Sequence, residues 1–373
     1  MNSKSFPKFA VLGAGHGGKT MAAHLGLMGF SVNLYNYKDV EEEYLINLDK
    51  IREKGGIELE GIINGFGRIN IVSSNIKDVI EDVNVIMVVV PAFAHKYIAK
   101  TCAPHLQDNQ IIVLNPGRTG GALEFKKVLE EEGVTAKVKV AEAQTLIYTC
   151  RSVNYTRVKV FSVKKSVPIA GLPATETKNV LKVISEAYPQ FVPASSVLET
   201  SLNNIGAVFH PALTLLNSAR IEMTKGDFEF YIDGASPHVC KVLEAVDEER
   251  IRVAKALDVN ITTLKKWLKT TYGVEGKSLF EALQNNTAYK GIKAPSTLKH
   301  RYIFEDVPTG LVPISSLGSM LDISTPTIDA LINLACAMFG VNFWEQGRTV
   351  EKLGLAGLSI EEIKKLVLGQ EVK

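Results

Sequence analysis

Val11-Leu12-Gly13-Ala14-Gly15-His16-Gly17-Gly18 closes a short apolar run that begins at Phe9, and Lys19 to Met28 then continue with helical spacing. Strand, glycine turn and helix in that order are the setting in which a G-x-G-x-x-G pattern carries meaning. Gly13 permits the tight turn, Gly15 lets the backbone approach a pyrophosphate, and Gly18 lets the helix pack closely on its strand. The helix start adds N–H groups and the positive end of a dipole, both suited to phosphate. Residues 13–18, with Ala14, His16 and Gly17 among them, are therefore candidate dinucleotide-binding residues.

Working outward, Ser31 to Tyr35 is a second strand, and a very acidic, polar helix is expected from Asp39 to about Lys54. An Asp or Glu at the end of that strand would hold a ribose 2′-hydroxyl and repel a 2′-phosphate. Here the residues are Asn36-Tyr37-Lys38. Asn36 and Lys38 join the cofactor set, and the cation favours NADP over NAD; the plainer reading of Lys38 is a solvated lysine at a helix start. Gly55 to Asn70 suggests a hairpin or loop insertion. Val85 to Val90 is dominated by β-branched residues, as in a strand buried on both faces of a parallel sheet. Ile111 to Leu114, Val138 to Ala141 and Lys159 to Val163 look like further strands. Strands alternating with helical segments argue for a doubly wound parallel α/β sheet with right-handed crossovers.

In open α/β sheets the strand C-termini line the ligand crevice. Val89-Val90-Pro91-Ala92-Phe93-Ala94-His95 ends a central strand, which makes Pro91 and Ala92 cofactor candidates near the nicotinamide-side ribose. His95 reads as a capping or surface histidine rather than a catalytic one. Asn115-Pro116-Gly117-Arg118 ends the next strand on the same crevice.

The character changes near Tyr188-Pro189-Gln190-Phe191-Val192-Pro193. Beyond it helical patterns dominate: Ser201 to Met223, Pro237 to Leu257, Ile261 to Thr271, Ser278 to Asn285 and Thr327 to Met338. We therefore expect an α/β domain over residues 1–190 and an all-helical domain over 191–373. A chain of 373 residues suits two domains of ordinary size. The net charge of +2 gives no electrostatic reason to expect nucleic acid or an anionic membrane as partner. Val85 to Ala94, the longest apolar run, is about half of what a membrane span needs. Cys102, Cys150, Cys240 and Cys336 lack metal-ligand spacing or a disulfide framework, so reduced thiols are expected. With a polar N-terminus running into the first strand, these features point to a soluble cytoplasmic protein.

Two stretches of the second half carry chemistry. In Asn203-Asn204-Ile205-Gly206-Ala207-Val208-Phe209-His210-Pro211, two amides and a histidine interrupt an apolar helix. Burying such groups without partners costs about 1–3 kcal/mol each, so they are either satisfied in a core or used. In His300-Arg301-Tyr302-Ile303-Phe304-Glu305-Asp306-Val307-Pro308, bracketed by prolines, an irregular connection is expected. Arg301 suits a bidentate carboxylate contact and Asp306 suits an imidazole; a surface ion pair is the plainer reading.

Together these stretches resemble the opine dehydrogenase family, the octopine/nopaline dehydrogenases and their bacterial relatives. The resemblance rests on Gly13 to Gly18, Val90 to His95, Ala141-Glu142-Ala143-Gln144-Thr145-Leu146, Asn203 to Pro211, and Arg301-Tyr302 with Glu305 to Pro308. It implies an N-terminal Rossmann domain, a C-terminal helical domain and a substrate cleft between them. It further implies reduction of the imine formed between a 2-oxo acid and an amino acid's amine, giving an N-(carboxyalkyl) amino acid. By match of motif His210 is the catalytic acid/base, Asp306 its partner, and Arg301 the binder of the oxo-acid carboxylate. Asn203 and Asn204 are candidate substrate contacts. Glu142 reads either as partner of a basic amino substrate or as a carboxylate capping a turn. The apolar face from Ile328 to Phe343 suits the domain's own core or a homodimer.

Two competing readings share this layout. A ketopantoate reductase-like or glycerol-3-phosphate dehydrogenase-like enzyme would be expected to carry a catalytic lysine in the helical domain, where Lys225, Lys241 and Lys255 are available. A non-catalytic dinucleotide sensor would bind cofactor without turnover.

Overall fold

The structure, a computed structural model, describes residues 6–37 and 46–369. Two compact units emerge, one comprising the chain up to Thr200 together with the segment from Glu361, the other Ser201–Ile360.

The first unit begins with β1 (Phe9–Leu12), α1 (His16–Leu27) and β2 (Val32–Tyr35), as the glycine pattern requires. It continues with α2 (Leu48–Lys54), β3 (Gly56–Gly61), β4 (Gly65–Arg68), β5 (Ile71–Ser73), α3 (Ile76–Ile80), β6 (Val85–Val88) and α4 (His95–Cys102). Then follow β7 (Ile111–Leu114), α5 (Gly121–Glu131), β8 (Lys139–Ala143), β9 (Tyr148–Asn154), β10 (Arg157–Val163) and β11 (Val167–Leu172), with α6 (Thr177–Ile184), β12 (Phe191–Pro193) and α7 (Val197–Leu202) after them. The main sheet has the order β12-β11-β8-β7-β6-β1-β2-β5. Six neighbouring strands, β5 to β8 across the sheet, pair in parallel, while β11 runs antiparallel to β8. Every residue of β1, β6 and β7 is buried, the pattern of strands covered on both faces. The order reverses between β1 and β6, and at such a switch point the C-terminal strand ends part to leave a ligand crevice.

One expectation is corrected here. Lys159 to Val163 is a strand, but not of the main sheet: it lies in β10, within a second sheet of order β4-β3-β10-β9. Periodicity identifies a strand, not its partner. The expected hairpin over Gly55 to Asn70 supplies β3 and β4 of the same sheet. The acidic helix expected from Asp39 is described only as α2, from Leu48, capped by the Asn47 side chain accepting from Lys50 N–H and ended by Gly55 in the left-handed region. Its first part lies outside the described residues.

The small sheet has a consequence for α1, which packs on the main sheet and on β3, β4, β9 and β10. A helix covered on two sides buries polar positions too, and Lys19 and Thr20 have no exposed surface.

The second unit is helical: α8 (Ile205–Leu216), α9 (Ser218–Thr224), α10 (Pro237–Ala256), α11 (Leu264–Tyr272), α12 (Leu279–Gln284), α13 (Arg301–Phe304), α14 (Val312–Met320), α15 (Pro326–Phe339) and α16 (Phe343–Gln346). The single helix expected from Ser201 to Met223 is broken twice, at Asn203-Asn204 and at Asn217. Asparagine amides compete with the helix ladder for backbone groups. Asn203 Oδ1 accepts from Thr262 N–H at 2.9 Å, and Asn217 Nδ2 donates to the carbonyls of Leu213 and Gly234, both at 2.9 Å. The 20-residue α10 starts on Ser236 and Pro237, a side-chain cap followed by a proline at the first turn. Its buried Arg250 pairs with Asp247 and donates to the carbonyls of Leu202 and Thr262, while Asp247 also accepts from Leu264 N–H. A buried ion pair with this many hydrogen bonds fixes one arrangement of Leu202, α10 and the start of α11. Among the described residues no helix is long and apolar enough to cross a membrane.

Candidate active site

The turn between β1 and α1 has the geometry its glycines predict. Gly13 adopts φ +109°, and a Cβ there would lie 2.5 Å from Val89 O. A Cβ on Gly18 would lie 1.7 Å from Gly13 O, whereas nothing stands within 4 Å of that position on Gly15. Close packing behind and open space in front are what a bound pyrophosphate needs. The first turn of α1 has neither a side-chain cap nor an acidic residue, so nothing there replaces or repels phosphate. The residues therefore fit a dinucleotide.

The neighbours of this turn are placed as follows. Asn36 Oδ1 accepts from Ala14 N–H at 2.8 Å and its Nδ2 donates to Tyr37 O at 2.9 Å, so the amide ties the turn to the end of β2. Lys38 lies outside the described residues. Pro91 is exposed and starts a short 3-10 turn in which Ala92 is buried. His95 is fully buried as the first residue of α4, which corrects its surface reading. His16 accepts from Ser152 N–H through Nδ1 at 3.1 Å. Burial, then Arg151 and Lys19, push its pKa down to about 4, so the ring is neutral near pH 7 with its proton on Nε2. Lys19, pulled down to about 8 by burial, donates to Asn154 O at 3.2 Å. Gly13 to Thr20 also has the spacing G-x-x-x-x-G-K-T of a nucleoside-triphosphate loop. Its lysine and hydroxyl are turned elsewhere, however, Thr20 Oγ1 donating to His16 O at 2.8 Å. Glu142, near the end of β8, accepts from Ala122 N–H at 2.8 Å and from Thr200 O–H at 2.6 Å, capping α5.

In the second unit α8 carries His210 in mid-helix, followed by Pro211. Proline removes one bond of the helix ladder and disfavours helical geometry in the residue before it, so the site sits at a built-in irregularity. A second irregularity faces it. The expected irregular connection is the short α13 followed by a π-helical turn, Val307–Leu311, in which Leu311 N–H donates to Asp306 O. Single π turns recur at functional sites because they re-aim one side chain. Here that side chain is Asp306: fully buried, it accepts at Oδ2 from His210 Nδ1 at 2.7 Å.

The imidazole is held on two further sides. Tyr302 stacks on it with ring centroids 4.0 Å apart and planes 19° apart, and Phe230 stacks in turn on Tyr302. Tyr231 Oη lies 3.1 Å from Nε2. Burial and neighbouring phenols raise the Tyr231 pKa well above 10, so it stays a neutral hydroxyl. Arg301, next in sequence to Tyr302, pairs with Glu305 Oε2 at 2.7 Å; its side chain is 51% exposed while that of Glu305 is 3% exposed. The structure thus brings together His210, Asp306 and the Arg301–Tyr302 segment. Asn203 braces Thr262, and Asn204, buried, precedes α8. Lys225, Lys241 and Lys255, the lysines of the competing reading, are all exposed.

Sequence reading missed Tyr231. It sits in a compact loop after α9, in an aromatic-rich stretch (Phe228, Phe230, Tyr231) with no helical or strand period. The cluster of rings was the available signal.

A Rossmann-type dinucleotide cradle and a helical unit bearing a His–Asp pair define an NAD(P)-dependent oxidoreductase. Residues 193–339 match the family described as NAD/NADP octopine/nopaline dehydrogenase, alpha-helical domain, and residues 8–144 match the NAD-dependent glycerol-3-phosphate dehydrogenase N-terminus. An opine dehydrogenase of Arthrobacter sp. (strain 1C) is 41% identical over 360 residues, covering 96% of this chain and 98% of the relative. The chain belongs to the opine dehydrogenase family and is an opine-forming NAD(P)-dependent oxidoreductase. Its fold is also that of a solved octopine dehydrogenase with NADH and L-arginine, at TM-score 0.79 and 21% identity, covering 98% of this chain and 99% of that one. A yersinopine dehydrogenase with NADP+ bound follows at TM-score 0.76 and 16% identity, covering 98% of each chain.

Proposed function

We propose that His210 and Asp306 are the acid–base pair by which this chain condenses the amine of an amino acid with a 2-oxo acid. The observation that carries this is the 2.7 Å bond from His210 Nδ1 to a fully buried carboxylate. Such a partner fixes the tautomer and the orientation of the ring, leaving Nε2 as the nitrogen that exchanges a proton. Attack of the amine on the carbonyl carbon gives a carbinolamine, whose hydroxyl departs as water once protonated. His210 Nε2 supplies that proton. The reduced nicotinamide, when bound, supplies the hydride that converts the resulting imine to a secondary amine.

Arg301 binds the oxo-acid carboxylate, with Glu305 holding the guanidinium in orientation. Asn203 and Asn204 position the substrate from the start of α8. Glu142 stays outside the substrate set and caps α5. Gly13 to Gly18, Pro91 and Ala92 hold the dinucleotide, with Asn36 shaping the turn, and Lys38 favours NADPH over NADH. Three buried thiols and one partly buried, all unpaired, suit the cytoplasm. For a homodimer α15 offers Leu334 and Met338, since Ile328, Leu331, Ile332 and Ala335 are buried in the unit itself. Sedimentation at one or two multiples of 40.7 kDa decides that point.

The test of the main reading is a matrix of amino acids crossed with 2-oxo acids, scored by NADH and by NADPH oxidation. Oxidation that needs both substrates supports it. Oxidation by the oxo acid alone, without an amine, overturns it.

A further inference from the structure

Nδ1 of His210 belongs to Asp306, and the nitrogen that must move a proton, Nε2, faces the hydroxyl of Tyr231 at 3.1 Å. That hydroxyl is set rigidly. The Tyr231 ring stacks on Tyr289 with centroids 4.5 Å apart and meets Phe209 edge-on at 5.7 Å. Its loop is closed by Phe230 N–H donating to Ile292 O, Asp233 N–H to Glu229 O, and Glu229 N–H to Asp233 Oδ2, each at 2.8 Å. A freely rotating surface phenol would need no such scaffold.

We propose that Tyr231 is a positioning residue for the acid–base step, completing an Asp306–His210–Tyr231 array. Its phenol accepts from the protonated ring and donates to the neutral one. The proposal rests on the assignment of His210 above.

The protons balance without a change in Tyr231. Before the step Nδ1–H donates to Asp306 and Nε2–H to the phenol oxygen. The Nε2 proton then passes to the carbinolamine hydroxyl, which leaves as water with the C–O bond electrons. The lone pair now on Nε2 accepts the phenol O–H, whose hydrogen has rotated toward it. A hydroxyl can serve in both roles, whereas an ammonium cannot accept and a carboxylate cannot donate. Burial, above all, holds the phenol proton in place throughout.

Tyr231→Phe retains the ring contacts and removes only the hydroxyl. The expected result is a fall in kcat of roughly tenfold, the size of a lost hydrogen bond to a charged group. The KM for NADH or NADPH stays within about twofold, Tm is little changed, and the solvent deuterium isotope effect on kcat rises as proton transfer becomes more limiting. Tyr289→Phe is the control, since it removes a hydroxyl from the same aromatic cluster without touching His210 and keeps its activity. In a His210→Ala background Tyr231→Phe changes nothing further. Wild-type kcat and isotope effect in Tyr231→Phe, or an equal loss in Tyr289→Phe, overturns the proposal. Full turnover in His210→Ala alone instead overturns the assignment of His210.

Discussion

His210 is restrained by three partners of different chemistry, each removing a different freedom. Asp306 fixes which nitrogen carries a proton, the Tyr302 ring fixes the plane, and the Tyr231 hydroxyl meets the remaining nitrogen. At this scale His210→Ala is expected to lose about 10²–10⁴-fold in kcat, the usual contribution of a positioned acid–base group. Asp306→Asn leaves the ring without its charged partner and also loses most turnover. Cofactor binding, measured by quenching of protein fluorescence or by calorimetry, survives in both; cofactor loss in step with activity would mark the defect as one of folding. Arg301→Lys keeps the charge but not the planar fork, so KM for the 2-oxo acid is expected to rise about tenfold with a smaller change in kcat. An unchanged KM in a steady-state titration would remove Arg301 from the carboxylate site.

At the scale of elements, the π turn and α8 form one device. Gly310 lies against α8, where a Cβ would come within 2.7 Å of the Ala207 Cβ, three residues before His210. Gly310→Ala must therefore push the turn that carries Asp306 away from the helix that carries His210. Displacements near 1 Å cost about 10²-fold in rate, so kcat is expected to fall by that order while the protein stays folded. A variant with full activity would show the turn to be elastic. The second device is α1 between two sheets. It carries His16 and His24, the latter with Nδ1 2.9 Å from Tyr148 Oη, and burial lowers the pKa of both.

That depression has a consequence for the whole molecule. The folded chain keeps His16 neutral down to about pH 4, whereas a solvated histidine takes its proton near 6.5. Between those values the unfolded chain binds the extra proton, so stability falls as the pH drops from 6.5 toward 4 and returns as it rises. His16→Asn retains an acceptor for Ser152 N–H but cannot titrate, so its Tm is expected to decline less over that interval than the wild-type Tm. Parallel melting curves at pH 7 and pH 5 would refute the idea if the two proteins tracked each other. Cofactor acts at the same scale. A ligand at 100 times its Kd adds about 2.7 kcal/mol of stability, so NADPH or NADH must raise Tm measurably. A thermal scan with each ranks the two cofactors, and no shift with either would defeat the reading of Gly13 to Gly18.

The amino-acid sequence by itself determined the dinucleotide turn, because a strand end, three glycines and a helix start are local and each glycine's duty is written in its missing side chain. It determined the change from α/β to helical character, which is a matter of period, and it marked His210, Arg301 and Asp306 through short motifs. What it left open depended on partners distant in the chain. Lys159 to Val163 reads as a strand whichever sheet it joins, and only folding places it in the small sheet over α1. Lys19 gives no sign of burial in the sequence until that sheet covers it. Glu142 carries the same charge whether it awaits a basic substrate or caps α5, and the amides of Asn203 and Asn217 look helical until they find backbone groups elsewhere. The pairing of His210 with Asp306 spans 96 residues, and that with Tyr231 spans 21 across a loop without period. Such contacts are fixed by how helices pack, and packing has no signature in a single stretch of chain.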